Sequence, residues 1–190
     1  MYFFTAATIT LAGVYFVMQV NKVRGNRKDS KTLSVSHVGK ANIGGSWRLI
    51  DLEGKPFGSA NLEGKYYLIY FGFANCPDVC PQTLYKITKA LEAVKRVPEK
   101  KYFELETVFV TVDPDRDSSE AIKKFLRHYD KEIIPVTARS NNDPALRDMM
   151  NKFKIYASKI ELEEEQSAPG KPTPYTLDHT IITYLMDDES

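Results

Sequence analysis

Hydrophobic and polar positions along this chain change their spacing several times, and each change marks an expected element. From Met1 to Asn21 no side chain is charged. As a helix this run would be roughly 30 Å long, about the hydrocarbon thickness of a bilayer, so residues 1–21 are expected to form a single transmembrane anchor. Residues 22–41 are polar, basic and without period, as a tether would be. Lys22, Arg24, Arg27, Lys28 and Lys31 outnumber Asp29 there, and counted alone they would hold the following domain on the cytoplasmic or matrix side. The pattern turns globular near residue 42, so residues 42–190 are expected to be the folded domain.

Within it, Ser46–Asp51 alternates polar and apolar and meets a turn at Glu53–Lys55, which predicts a hairpin. Tyr66–Phe73 and Leu105–Val112 are nearly continuous apolar runs, the pattern of strands buried on both faces of a sheet. Leu84, Ile87, Leu91 and Val94 recur at helical spacing, predicting a helix from about Pro81 to Arg96. Asp117 and Glu120 read as a capping box opening a helix that ends near Tyr129. Shorter elements are expected at Ile133–Ala138 (strand), Asp143–Asn151 (helix), Phe153–Ser158 (strand) and Thr180–Met186 (strand). Glu161–Pro174, acidic and then proline-rich, reads as a surface loop. Strands alternating with helices predict an α/β domain with a mainly parallel central sheet.

Composition narrows the function. The 190 residues leave room for one ordinary domain plus an extension. Lys and Arg total 26 against 25 Asp and Glu, so no basic surface argues for nucleic acid. Two cysteines exclude both a disulfide framework and a four-cysteine zinc site.

Those two lie in Phe71–Thr83 (FGFANCPDVCPQT), between a buried strand and a helix, where ligands gather at the carboxyl edge of α/β sheets. An adjacent helix N-terminus would favour a thiolate at Cys76. Cys80 follows four residues later. The pair suits reversible disulfide formation or two-thiolate capture of a soft metal, Cu(I) being the soft ion content with two or three ligands. Two buried apolar cysteines are the plainer reading. Of the three histidines, His37 lies in the tether, and His128 is expected to close a helix at the opposite edge, far from the sulfurs. His179 stands before the last strand; if that strand is antiparallel to its neighbours, its start lies at the edge carrying Cys76. Asp178 beside it is expected to orient the ring as an outer partner, or else to be a plain loop carboxylate.

The stretches at 39–57 (GKANIGGSWRLIDLEGKPF), 70–81 (YFGFANCPDVCP), 110–125 (VTVDPDRDSSEAIKKF) and 177–187 (LDHTIITYLMD) together resemble the Sco/SenC family of copper chaperones. The resemblance implies a thioredoxin-like domain with a central mixed sheet, tethered by one helix. It also implies copper (Cu(I), or Cu(II)) on Cys76, Cys80 and His179, delivered to the binuclear copper centre of cytochrome c oxidase subunit II after receipt from an upstream copper donor. It places the domain in the mitochondrial intermembrane space on the inner membrane, or in the periplasm of a bacterium, against the simple charge count. Family members continue past the Leu-Met-Asp strand with a further strand and a closing helix, which this sequence does not carry before Ser190. The competing expectations are a thiol–disulfide oxidoreductase with Cys76 attacking and Cys80 resolving, and a permanent accessory subunit of a respiratory complex. Three residues between the cysteines, where thioredoxin-like oxidoreductases have two, favour metal over redox catalysis.

Overall fold

The structure, a computed structural model, describes residues 43–97, 105–161 and 175–187. The anchor expected at 1–21, the tether at 22–41 with His37, and the loop at 161–174, apart from Glu161, lie outside them. Among the described residues no helix is long and apolar enough to cross a membrane.

The two continuous apolar runs form adjacent parallel strands, β3 (Tyr66–Gly72) and β4 (Leu105–Thr111), in register from Tyr66 opposite Leu105 to Gly72 opposite Thr111. Tyr67, Ile69, Tyr70, Phe71 and Val108–Val110 are buried on both faces. That burial is worth about 1.5–3 kcal/mol for each large apolar side chain and explains why these runs do not alternate. Strand β5 (Ile133–Thr137) adds in parallel beyond β4. The expected opening hairpin is β1 (Arg48–Asp51) with β2 (Pro56–Gly58), antiparallel to each other, and β1 joins β5. Strand β8 (Thr183–Met186) lies antiparallel on the other side of β3, so the six-stranded sheet is mixed, in the order β2-β1-β5-β4-β3-β8.

Helix α1 (Val79–Lys95) presents Cys80, Leu84, Ile87 and Leu91 to the core. It begins two residues before the expected Pro81, which sits in its first turn, where a missing N–H costs no intrahelical bond. Helix α2 (Ser119–Leu126) is capped differently from expectation. Ser118, not Asp117, accepts from the Ala121 N–H at 3.2 Å, because the Asp117 carboxylate is drawn inward by two other donors. The helix also ends at Leu126 rather than Tyr129, where the Tyr129 N–H bonds back only three residues, to Leu126. Helix α3 (Pro144–Lys152) is capped by Asp143, whose carboxylate accepts from the Ala145 N–H.

Two strands depart from the reading of the sequence. The strand expected at 153–158 is β6 (Ala157–Glu161), since Phe153 is fully buried at the end of α3. Its partner β7 (Tyr175–His179) is short and half polar, with no run to announce it. The two form an antiparallel ribbon outside the main sheet, with Ala157 opposite His179. Thr180 does not start the last strand. Its N–H and hydroxyl bond the backbone of Tyr156, at 2.9 Å each, and β8 begins three residues later.

Candidate metal centre

Strand β3 stops at Gly72, and a tight turn in which the Cys76 N–H donates to the Phe73 carbonyl leads into α1. Cys80 is the second residue of that helix, and its N–H, one of the donors without an intrahelical acceptor, lies 3.4 Å from Cys76 Sγ. Gly72 makes the approach possible. A Cβ there would lie 3.0 Å from Cys80 Sγ and 3.0 Å from the Phe109 ring.

The imidazole arrives from the ribbon. Along β7, Leu177 and His179 face inward and Asp178 outward, the two-residue period of a strand. His179 Nε2 lies 3.4 Å from Cys80 Sγ, and Nδ1 lies 2.9 Å from the Thr180 carbonyl. A carbonyl only accepts, so that bond assigns the ring proton to Nδ1 and leaves the Nε2 lone pair towards the sulfurs. Phe73 meets the ring edge-on, with centroids 5.5 Å apart. The two sulfurs and the imidazole nitrogen all lie within 4.8 Å of one another, and all three residues are buried. Asp178 does not orient the ring as expected: it is exposed on the opposite face of the strand, and the Thr180 carbonyl takes that place.

The two thiols are unlike. Cys76 is held well below the ordinary thiol range, chiefly because the Cys80 thiol donates to its sulfur; the backbone N–H groups of Cys80 and Asp78 help, and burial opposes them. Cys80 is pushed up by that same hydrogen bond to Cys76 and by its burial. The metal-free pair therefore carries one thiolate and one thiol, with the thiolate on the sulfur nearer the surface: Cys76 is 8% exposed and Cys80 is 0%. Two soft sulfurs and one neutral imidazole make a donor set for a soft, low-coordinate ion, and the same sulfurs can also exchange with an external disulfide.

His128 does not lie at the opposite edge as expected. It is exposed, accepts from Arg127 Nε, and lines a cleft of about 470 Å³ that Cys76, Pro81, Lys124 and Tyr129 also line. An eight-residue helix advances only about 12 Å, too little to carry its end across the domain.

The model of the SCO1/SenC family matches residues 35–190. A SCO2-like protein of Rickettsia conorii is 37% identical over 76% of this chain and 64% of its own length. The mitochondrial protein SCO1 of Saccharomyces cerevisiae is 35% identical over 80% of this chain and 47% of its own. Both relatives are thus spanned over less than two thirds of their length. Among solved structures, Arabidopsis thaliana ScoI with copper bound is 32% identical, with a TM-score of 0.64 over 77% of this chain and 83% of that one.

Proposed function

The chain belongs to the SCO1/SenC family and has its thioredoxin-like α/β fold, and from that premise we propose that it is a copper carrier in cytochrome c oxidase assembly. Cu(I) is the cargo, held by Cys76, Cys80 and His179, and the acceptor is the binuclear copper centre of oxidase subunit II. An upstream copper donor fills the site. The observation that carries this reading is the convergence of two sulfurs and one Nε2 within 4.8 Å, from segments distant in sequence.

The geometry supports a transfer by ligand exchange. Cys80, fully buried, and His179, fixed through its Nδ1 bond, are the retaining ligands. Cys76, at the rim, is the ligand an incoming thiolate displaces first. Cu(I) enters and leaves as Cu(I), so no oxidant or reductant takes part. The proposed setting is the mitochondrial inner membrane, with residues 1–21 as a single-pass anchor and the domain in the intermembrane space, or the periplasm in a bacterium.

One observation favours a second reading. A thiolate at Cys76 beside a protonated Cys80 is also the asymmetry of an attacking and a resolving thiol, which would reduce the cysteines of subunit II before metallation. Titration of reduced protein with Cu(I) separates the two. The carrier binds roughly one tight copper per chain and holds it much more weakly in His179→Ala. An exchanger without a copper role binds none tightly and keeps its disulfide turnover in that variant.

A further inference from the structure

The loop Asp113–Asp117 (DPDRD) leaves β4 beside the point where the cysteine loop leaves β3, and the Val112 N–H donates to the Gly72 carbonyl at 2.8 Å. From there it reaches both halves of the metal centre. On one side the Asp117 carboxylate, 3% exposed, accepts from the Ala74 N–H at 2.9 Å and from the Thr111 hydroxyl at 2.6 Å. Ala74 is two residues before Cys76. On the other side Arg116 donates from Nε to Asp113 and from Nη1 to the Tyr175 carbonyl, and its guanidinium lies 3.5 Å over the Tyr175 ring. Asp113, fully buried, accepts in turn from the Tyr175 hydroxyl at 2.8 Å and from Asn141 at 2.9 Å. Tyr175 begins the strand that His179 ends. Phe73, whose ring meets His179, lies 5.9 Å from the same guanidinium.

These contacts matter because the ribbon β6–β7 shares no hydrogen-bond ladder with the six-stranded sheet. The place of the imidazole relative to the sulfurs therefore rests on the short link from His179 to β8, paired with β3, and on side-chain contacts. We propose that the loop Asp113–Asp117 sets the span of the metal centre: Arg116, braced by Asp113 and clasping Tyr175, positions the strand that carries His179, while Asp117 positions the turn that carries Cys76. Arg116 and Asp117 are positioning residues and touch no ligand atom. This proposal rests on the copper reading for its binding arm only.

Two measurements on the intact chain test it: Cu(I) affinity by competition with a chromophoric chelator, and the imidazole NMR resonances of His179 in the reduced, metal-free protein. Arg116→Ala should weaken Cu(I) binding about tenfold or more, the scale of losing an outer partner of a ligating histidine, and should move the His179 resonances towards those of a free imidazole. Arg116→Lys keeps the charge beside Asp113 but not the two-pronged reach to Tyr175, and should fall between. Should Arg116→Ala not fold, Tyr175→Phe, which removes only the hydroxyl's bond to Asp113, should shift the same resonances in the same direction with a smaller loss of affinity. A folded Arg116→Ala protein with wild-type affinity and wild-type His179 resonances would overturn the proposal. So would unchanged resonances in Tyr175→Phe, where that variant stands in. If wild-type protein takes up no copper, the copper reading fails and the NMR arm alone decides the positioning role.

Discussion

Cys80 Sγ and His179 Nε2 lie 3.4 Å apart, although 99 residues separate them in the chain. One is brought by the first turn of a helix packed on β3, the other by the end of a ribbon that the main sheet does not include. With Cys76 at the rim, this contact makes the centre a three-point site rather than a pair of thiols, and each arm can be perturbed separately.

The thiolate arm is visible without metal. Because Cys76 is lowered and Cys80 raised, reduced wild-type protein should keep one thiolate per chain, read by its absorbance near 240 nm, as pH falls through the ordinary thiol value of about 8.5. For linkage, the lowered Cys76 contributes stability that is present above the ordinary value and is lost as pH falls through the lowered one. Cys80→Ala removes the thiol that donates to Cys76, so the Cys76 thiolate should titrate higher. A profile in which both sulfurs protonate together near the ordinary value contradicts this.

Packing at Gly72 offers a change that removes no polar group. Gly72→Ala puts a methyl 3.0 Å from Cys80 Sγ and from the Phe109 ring, so either the sulfur or the ring must give way. The expected cost is about 1–3 kcal/mol in chemical denaturation, together with weaker Cu(I) binding. Wild-type stability and affinity together would show that the approach is not tight.

Asp117 gives a pH signature of its own. Burial raises its carboxyl above the usual aspartate range, against the donors Thr111 and Ala74. A raised acid contributes stability that is fully present below about 3.9 and is lost as pH rises through the folded value. Asp117→Asn keeps an oxygen for the Ala74 N–H but cannot ionise. Denaturation midpoints measured from pH 4 to 7 should therefore move in favour of the variant as pH rises. Parallel profiles would mean that the carboxyl is not perturbed.

Much of this arrangement was legible in the sequence, for a physical reason in each case. Tyr66–Gly72 and Leu105–Thr111 bury both faces, and that leaves a nearly continuous apolar run. The cysteine turn could be placed because it lies between such a strand and a helix of clear period. Strand β8 runs antiparallel to β3, as expected, but His179 reaches the sulfurs from the end of β7 and not from the start of β8. What escaped depends on tertiary partners. Asp117 reads locally as a cap, but the Ala74 N–H and the Thr111 hydroxyl compete for its carboxylate and leave the cap to Ser118. Tyr175–His179 has too few apolar residues to announce a strand and is held by Arg116 and by β6. Asp178 adjoins His179 in sequence, but neighbours in a strand point to opposite faces, which leaves it an exposed carboxylate.

His128 serves as the control for the centre. It shares a cleft with Cys76 but stands outside the cluster of two sulfurs and one imidazole. His128→Ala should leave copper stoichiometry and affinity at wild-type values. A loss comparable to that of His179→Ala would mean that the wrong histidine has been assigned.

X-ray absorption at the copper edge of the Cu(I)-loaded protein tests the assignment of the centre most directly. Two sulfur scatterers and one nitrogen scatterer are expected for wild type, and two sulfurs without that nitrogen for His179→Ala. A wild-type spectrum lacking the nitrogen, or one that His179→Ala leaves unchanged, would contradict it.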